Sequence, residues 1–161
     1  MEEYNAPIVD VSWSPNGELI ALYRDWPDEL VSVVDVETGE EYVSWEGAWG
    51  PRDVDWSRDS RYVVSGGHQH LHIWDVERRN PLVPALEYSG TMTVLSWSPD
   101  GKLLATGDSV GIVCIWDSST GRLLNIVNSG SKVDGLAWHP SSRYLVSSGH
   151  DYAINVWDVA N

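Results

Sequence analysis

Several groups of residues have types and spacings that invite chemistry. Gly107-Asp108-Ser109-Val110-Gly111 matches the pattern of a nucleophile elbow, in which a strained strand-to-helix turn exposes a serine beneath an oxyanion hole. No helical periodicity follows it and no His/Asp pair stands at a position to serve the serine, so the segment reads as a Gly-rich turn. His68, His70 and His72 alternate, which on a regular strand sets His70, His72 and Trp74 on one face. No carboxylate is spaced to complete a metal set, so no metal site is assigned and adventitious nickel or zinc capture is the expectation. Asp25–Glu29 and Asp35–Glu41 are dense in carboxylates but lack the alternating ligands of a calcium loop, which leaves a solvated acidic rim. The lone Cys114, between Val113 and Ile115, reads as a small apolar residue inside a strand. With no P-loop, HExxH or dinucleotide fingerprint, the sequence assigns no catalytic residue, no cofactor and no enzymatic activity.

The elements that hold these residues repeat. Trp13, Trp56, Trp97 and Trp138 are 43, 41 and 41 residues apart, and each precedes a turn such as Ser14-Pro15-Asn16-Gly17 or Ser98-Pro99-Asp100-Gly101. β-rich runs follow at once, for example Leu19–Leu22 and Leu103–Thr106, which defines strands A and B of each repeat. A second column, Val34, Trp74, Trp116 and Trp157, is followed every time by Asp and preceded by alternating apolar residues, which defines strand C. Polar turns then lead into strands D at Glu41–Trp45, Leu82–Glu87 and Leu123–Val127. Four short strands per period, with no helical pattern anywhere, predict an all-β chain of propeller blades.

Charge narrows the partners. The net charge of −14 argues against nucleic acid and anionic membrane, both of which reward Lys and Arg. Residues 1–46 hold twelve acids and only Arg24 as a base, which makes the first blade an acidic block of −11. No apolar stretch approaches the eighteen or so residues that span a bilayer, and the opening Met1-Glu2-Glu3-Tyr4 lacks the features of a signal peptide, so a cytoplasmic protein is expected. Ten Trp and seven Tyr with no Phe suggest repeat amplification or design.

Ile73-Trp74-Asp75-Val76, Ile115-Trp116-Asp117 and Val156-Trp157-Asp158-Val159, together with the hairpin Trp97–Ala105, resemble the WD40-repeat family across essentially all 161 residues. The resemblance implies one array of four four-stranded blades at about 8–46, 51–87, 92–127 and 133–158. It also implies a non-enzymatic protein- or peptide-interaction scaffold. The family's Gly-His dipeptide is absent from the loops Glu46–Arg52, Glu87–Met92 and Asn128–Asp134, so its buried polar network cannot form with His, and blades held mostly by apolar packing are expected.

An open array leaves apolar faces at both ends, and four such blades resemble half of an eight-bladed ring. Pairing with a second copy would close it, giving a homodimer; a compact four-bladed monomer is the alternative. Blade 4 shows strands A to C only, and Glu2-Glu3-Tyr4-Asn5 echoes Glu40-Glu41-Tyr42-Val43, so residues 2–6 are expected to supply the closing strand to a partner chain. For recognition, the B–C and D–A loops gather on one side. The candidate rim comprises Asp25, Trp26, Asp28 and Glu29, then Trp49, Arg52, His68, Tyr88 and Tyr152. With Asp25, Asp28 and Glu29 beside it, Trp26 suits a basic peptide or protein. The competing function is a designed, reconstructed or excised half-propeller whose only activity is self-assembly.

Overall fold

Left-handed turns cut the chain into short strands, and their positions recur from blade to blade. The computed structural model describes residues 6–25, 29–46 and 53–159, with the backbone alone at residues 69, 88 and 89. Among them every regular element is a β-strand, as the sequence predicts. In chain order these are β1 (Ile8–Trp13), β2 (Leu19–Arg24), β3 (Leu30–Asp35), β4 (Glu41–Glu46), β5 (Asp53–Trp56), β6 (Tyr62–Gly66), β7 (His68–Asp75) and β8 (Asn80–Pro81). There follow β9 (Leu86–Trp97), β10 (Leu103–Asp108), β11 (Ile112–Asp117), β12 (Leu123–Asn128), β13 (Val133–Trp138), β14 (Tyr144–Gly149) and β15 (Ile154–Asp158).

The chain divides into two compact units, Met1–Tyr88 and Ser89–Asn161. In the first, β1 to β4 form an antiparallel meander, and β5, β6, β7 and the two-residue β8 form a second. In the second, β10 pairs with the later part of β9 and with β11, β11 pairs with β12, and β13 to β15 form a three-stranded sheet. The second blade departs from expectation. Leu82–Ala85 falls outside any strand, and β9 runs straight through the anticipated loop Glu87–Met92. Pro81 and Pro84 carry no N–H, so a ladder along this stretch cannot be sustained, whereas Thr91, Thr93 and Val94 favour extended backbone.

The A–B hairpins fall into two kinds. Gly17 and Gly101 take positive φ (78° and 73°) in blades 1 and 3, whereas Ser60 and Ser142 hold the same place at 61° and 59° in blades 2 and 4. A serine is strained there where glycine is not. Its hydroxyl has a use, however: Asn16 N–H donates to Ser60 Oγ and Asp100 N–H to Ser142 Oγ, each at 3.0 Å, tying one hairpin to the next. At the same two junctions the strand-A indole Nε1 donates across the gap, Trp56 to Ser12 O and Trp138 to Ser96 O, both at 3.1 Å. Behind these ties lie the cores. Val31, Val33, Val54 and Trp56 pack together in the first unit, and Val113, Ile115, Val133 and Leu145 in the second.

The blades are not purely apolar inside. Trp116 Nε1 donates to Thr106 Oγ1 and Trp157 Nε1 to Ser147 Oγ, both at 3.0 Å, so a two-member remnant of a polar network survives without His. Blade 1 replaces both partners at once, with Leu22 and Val34. Its polar centre is instead Arg24, whose guanidinium donates to Ser32 Oγ at 2.7 Å and pairs with Glu41 at 3.3 Å. In blade 2, Trp74 stacks on Trp45 with ring centroids 4.6 Å apart. There the Trp74 indole N–H and the Ser65 hydroxyl are both buried without hydrogen-bond partners among the described residues.

Removing one partner of the Trp116–Thr106 pair costs the other a buried hydrogen bond, whereas removing both leaves neither group short of it. W116F should therefore cost about 1–3 kcal/mol in urea unfolding, and adding T106V to it should recover part of that loss. No recovery in the double variant would show that the indole matters through packing alone.

Candidate functional site

Of the rim candidates, Asp25, Glu29, His68 and Tyr152 are described, all at B–C turns. Asp25 N–H donates to Pro7 O at 2.9 Å and Glu29 N–H to Asp25 O at 3.2 Å, which closes the first turn with Glu29 at a φ of 48°. Asp25 and Glu29 therefore flank one turn, above the buried Tyr23. Burial and then the charges of Asp25 and Glu29 push the Tyr23 phenol up to about 12. His68 is exposed at the start of β7. Tyr152 is fully exposed in the last B–C turn at a φ of 60°, the place where blade 3 has Gly111. Near it Asp134 joins Lys132 at 2.5 Å and His150 Nε2 at 2.9 Å. Lys132 and, less strongly, His150 hold the Asp134 carboxyl below the usual carboxylate range. Trp26, Asp28, Trp49, Arg52 and the strand candidates Glu2, Glu3, Tyr4 and Asn5 lie outside the described residues, and Tyr88 is described by its backbone alone.

The residues considered for chemistry are placed as follows. Asp108 Oδ1 accepts the N–H groups of Val110 (2.9 Å) and Ile112 (2.7 Å), so the Gly107–Gly111 segment is a side-chain-capped turn with Ser109 exposed in it. The His70 and His72 rings are 6.4 Å apart, and burial, then the charge of His70, pulls His72 below the usual histidine value. Among the described residues no group of three or more His, Cys, Asp or Glu is placed to hold a metal ion. Cys114 is buried, and burial, then Asp108, pushes its thiol up to about 11, which suppresses the reactive thiolate.

The ends of the array carry a signal that the sequence reading did not isolate by residue. Val54 and Trp56 on β5 are 3% and 4% exposed, yet their counterparts Val11 and Trp13 on β1 are both 57% exposed. At the other end, Ile154 and Val156 on β15 are 74% and 64% exposed, whereas Val31, Val33, Leu71, Ile73, Val113 and Ile115 in the same columns are at most 2% exposed. Aligning the repeats by their Trp columns would have flagged these four residues. Their chemistry is apolar surface with one indole donor among it.

Comparison with known proteins agrees with this geometry. The description "WD domain, G-beta repeat" matches residues 40–75 and 121–158, and "Anaphase-promoting complex subunit 4 WD40 domain" matches residues 68–132. This chain carries WD40 repeats. Protein FIZZY-RELATED 1 of Arabidopsis thaliana is 29% identical over 98% of the chain and 34% of its own length. Cell division cycle 20.5, cofactor of APC complex, from the same plant is 38% identical over 62% of the chain and 24% of its own length. The B-type cell cycle switch protein ccs52A of Medicago truncatula is 28% identical over 98% of the chain and 34% of its own length. The chain thus spans about a third or less of the curated relatives it matches.

The WD40 Trp-Asp pairs have two uses here. Asp117 Oδ1 accepts from Ser119 and Thr120, and Asp35 Oδ1 from Thr38, capping C–D turns in blades 1 and 3. In blades 2 and 4 the aspartate pairs with an arginine of the A–B hairpin, Arg61–Asp75 at 2.9 Å and Arg143–Asp158 at 2.7 Å, and Asp75 Oδ1 also accepts Arg78 N–H at 3.0 Å in its own C–D turn. These carboxylates are engaged within the fold, as turn caps or as arginine partners.

The raised Tyr23 value has a sign. The neutral phenol is the form favoured by folding, so its contribution is intact below pH 10 and is lost as pH rises through about 12. In Y23F this alkaline loss should disappear, with stability at neutral pH unchanged or higher because the hydroxyl has no partner among the described residues. Thermal melts at pH 8, 10 and 11.5 would check it, and parallel curves for the two proteins would refute it.

Proposed function

We propose that this WD40 array is a protein-interaction scaffold that completes its ring by pairing with a second copy, giving eight blades. The carrying observation is the exposure of Val11, Trp13, Ile154 and Val156 in columns that are buried or partly buried in the other blades. These end faces are complementary by construction. Val31 and Val33 pack with Val54 and Trp56 in the first unit, and Ile154 and Val156 of one copy would meet Val11 and Trp13 of the other in the same way. The exposed Trp13 indole would then donate to the Ala137 carbonyl, the counterpart of Ser12 and Ser96. A twofold axis along the ring satisfies both junctions with one set of contacts.

The three-stranded sheet of β13 to β15 leaves the far edge of β15 open among the described residues. Residues 2–6 of the partner copy are the strand assigned to it. On the loop side of the first unit, Asp25 and Glu29 suit a basic segment through charge pairing, and in the second unit the projecting Tyr152 offers a ring for cation–π contact. One relative is by its name a cofactor of a protein complex, which supports protein as the partner class.

Light scattering on the intact chain should give a mass near twice 18.0 kDa. V11D/V156D places a charge on each end face and should return the mass to that of one chain while the β-sheet circular dichroism signal persists. A stable wild-type monomer, or a dimer indifferent to both substitutions, would remove the ring from consideration.

A further inference from the structure

We propose that the turn side of the first unit, at the strand ends opposite the B–C loops, holds a binding groove for a lysine- or arginine-bearing segment of a partner protein. Two cavities adjoin there, of about 460 and 320 Å³, sharing Glu18, Leu19 and Tyr42. Both fall within or close to the size range of small-ligand sites. The first adds Asp35, Val36 and Glu37 to its walls, and the second adds Asp59, Arg61 and Glu77. The walls thus carry five carboxylates and one guanidinium, Arg61, which is committed to Asp75 through two hydrogen bonds of 2.9 and 3.2 Å. Leu19 and Tyr42 give the groove an apolar floor for the stem of a long basic side chain, whose head then meets the carboxylates.

The chain itself shows that the floor accepts this chemistry. Arg79, from the C–D turn of blade 2, lies with its guanidinium 4.5 Å from the centre of the Tyr42 ring. It does so from a left-handed position (φ 55°) that blades 1 and 3 fill with Gly39 and Gly121. An intramolecular arginine therefore already occupies the aromatic face that a partner's arginine would use. The groove lies wholly within one unit, so the inference is independent of ring closure and of the loop-side reading.

The probe is a fluorescein-labelled hexa-arginine peptide, followed by anisotropy with the full chain. Acidic surface anywhere attracts such a peptide, so the comparison is between two variants of equal net charge. E18Q/E37Q/E77Q neutralises the groove and should weaken binding roughly tenfold or more, whereas E46Q/E87Q/D151N, away from it, should change binding less than about threefold. R79G suits the left-handed turn and bares Tyr42, so it should tighten binding, and Y42L, which copies Leu124 of blade 3, should weaken it. Equal weakening by the two triple variants would overturn the groove as a site. So would weaker binding in R79G, or a loss confined to D25N/E29Q, which would put the peptide on the loop side.

Discussion

A blade of this kind has two apolar faces, and only another blade covers them. Sheets of three or four short strands cannot wrap around a core of their own, so the residues of strands A and C are buried by whatever stands next in the array. The first unit shows both outcomes on adjacent strands. Val54 and Trp56 disappear into the cluster with Val31 and Val33, while Val11 and Trp13, at the same positions one blade earlier, remain in solvent. The same pair of positions therefore serves as core in one blade and as apolar surface in the other.

Polar groups specify how the faces meet. An apolar face alone tolerates sliding, but an indole donating to a backbone carbonyl fixes both depth and rotation, and Trp56 and Trp138 do this in the same way at two junctions. Inside the blades the sequence keeps its polar pairs whole or deletes them whole. Blades 3 and 4 retain indole and hydroxyl, and blade 1 discards both and substitutes the Arg24–Ser32–Glu41 cluster. Blade 2 is the exception, because stacking on Trp45 leaves Trp74 and Ser65 apart. Aromatic stacking and the loss of a buried hydrogen bond are of similar size, which explains why the two solutions coexist in one chain.

The strands were legible because turn chemistry and the Trp columns agree with each other. Asn16-Gly17 and Asp100-Gly101 announce hairpins, and the alternation before each Trp-Asp fixes which residues face inward. The second blade was misread at Leu82–Met92, where β propensity on either side of two prolines gives no clue to which half forms the strand. Ser60 and Ser142 were equally hidden as left-handed residues. Serine is not a usual occupant of that region, and only the hydrogen bond from the neighbouring hairpin explains its presence. At the candidate rim, the acidic spacing from Asp25 to Glu29 was legible, and the two residues are joined by the Glu29 N–H to Asp25 O bond. The grooves around Tyr42 were invisible because Glu18, Asp59 and Glu77 come from different blades, and adjacency of that sort is created by packing.

The alternation of glycine and serine hairpins groups the blades in twos. Within each unit the later blade offers a serine hydroxyl backwards and the earlier one, with its glycine, offers none. Donor and acceptor are thus written into different repeats, 44 and 42 residues apart, so neither repeat carries the whole contact. A duplication or loss that moves one of them alone breaks the tie, whereas one that moves both carries it along.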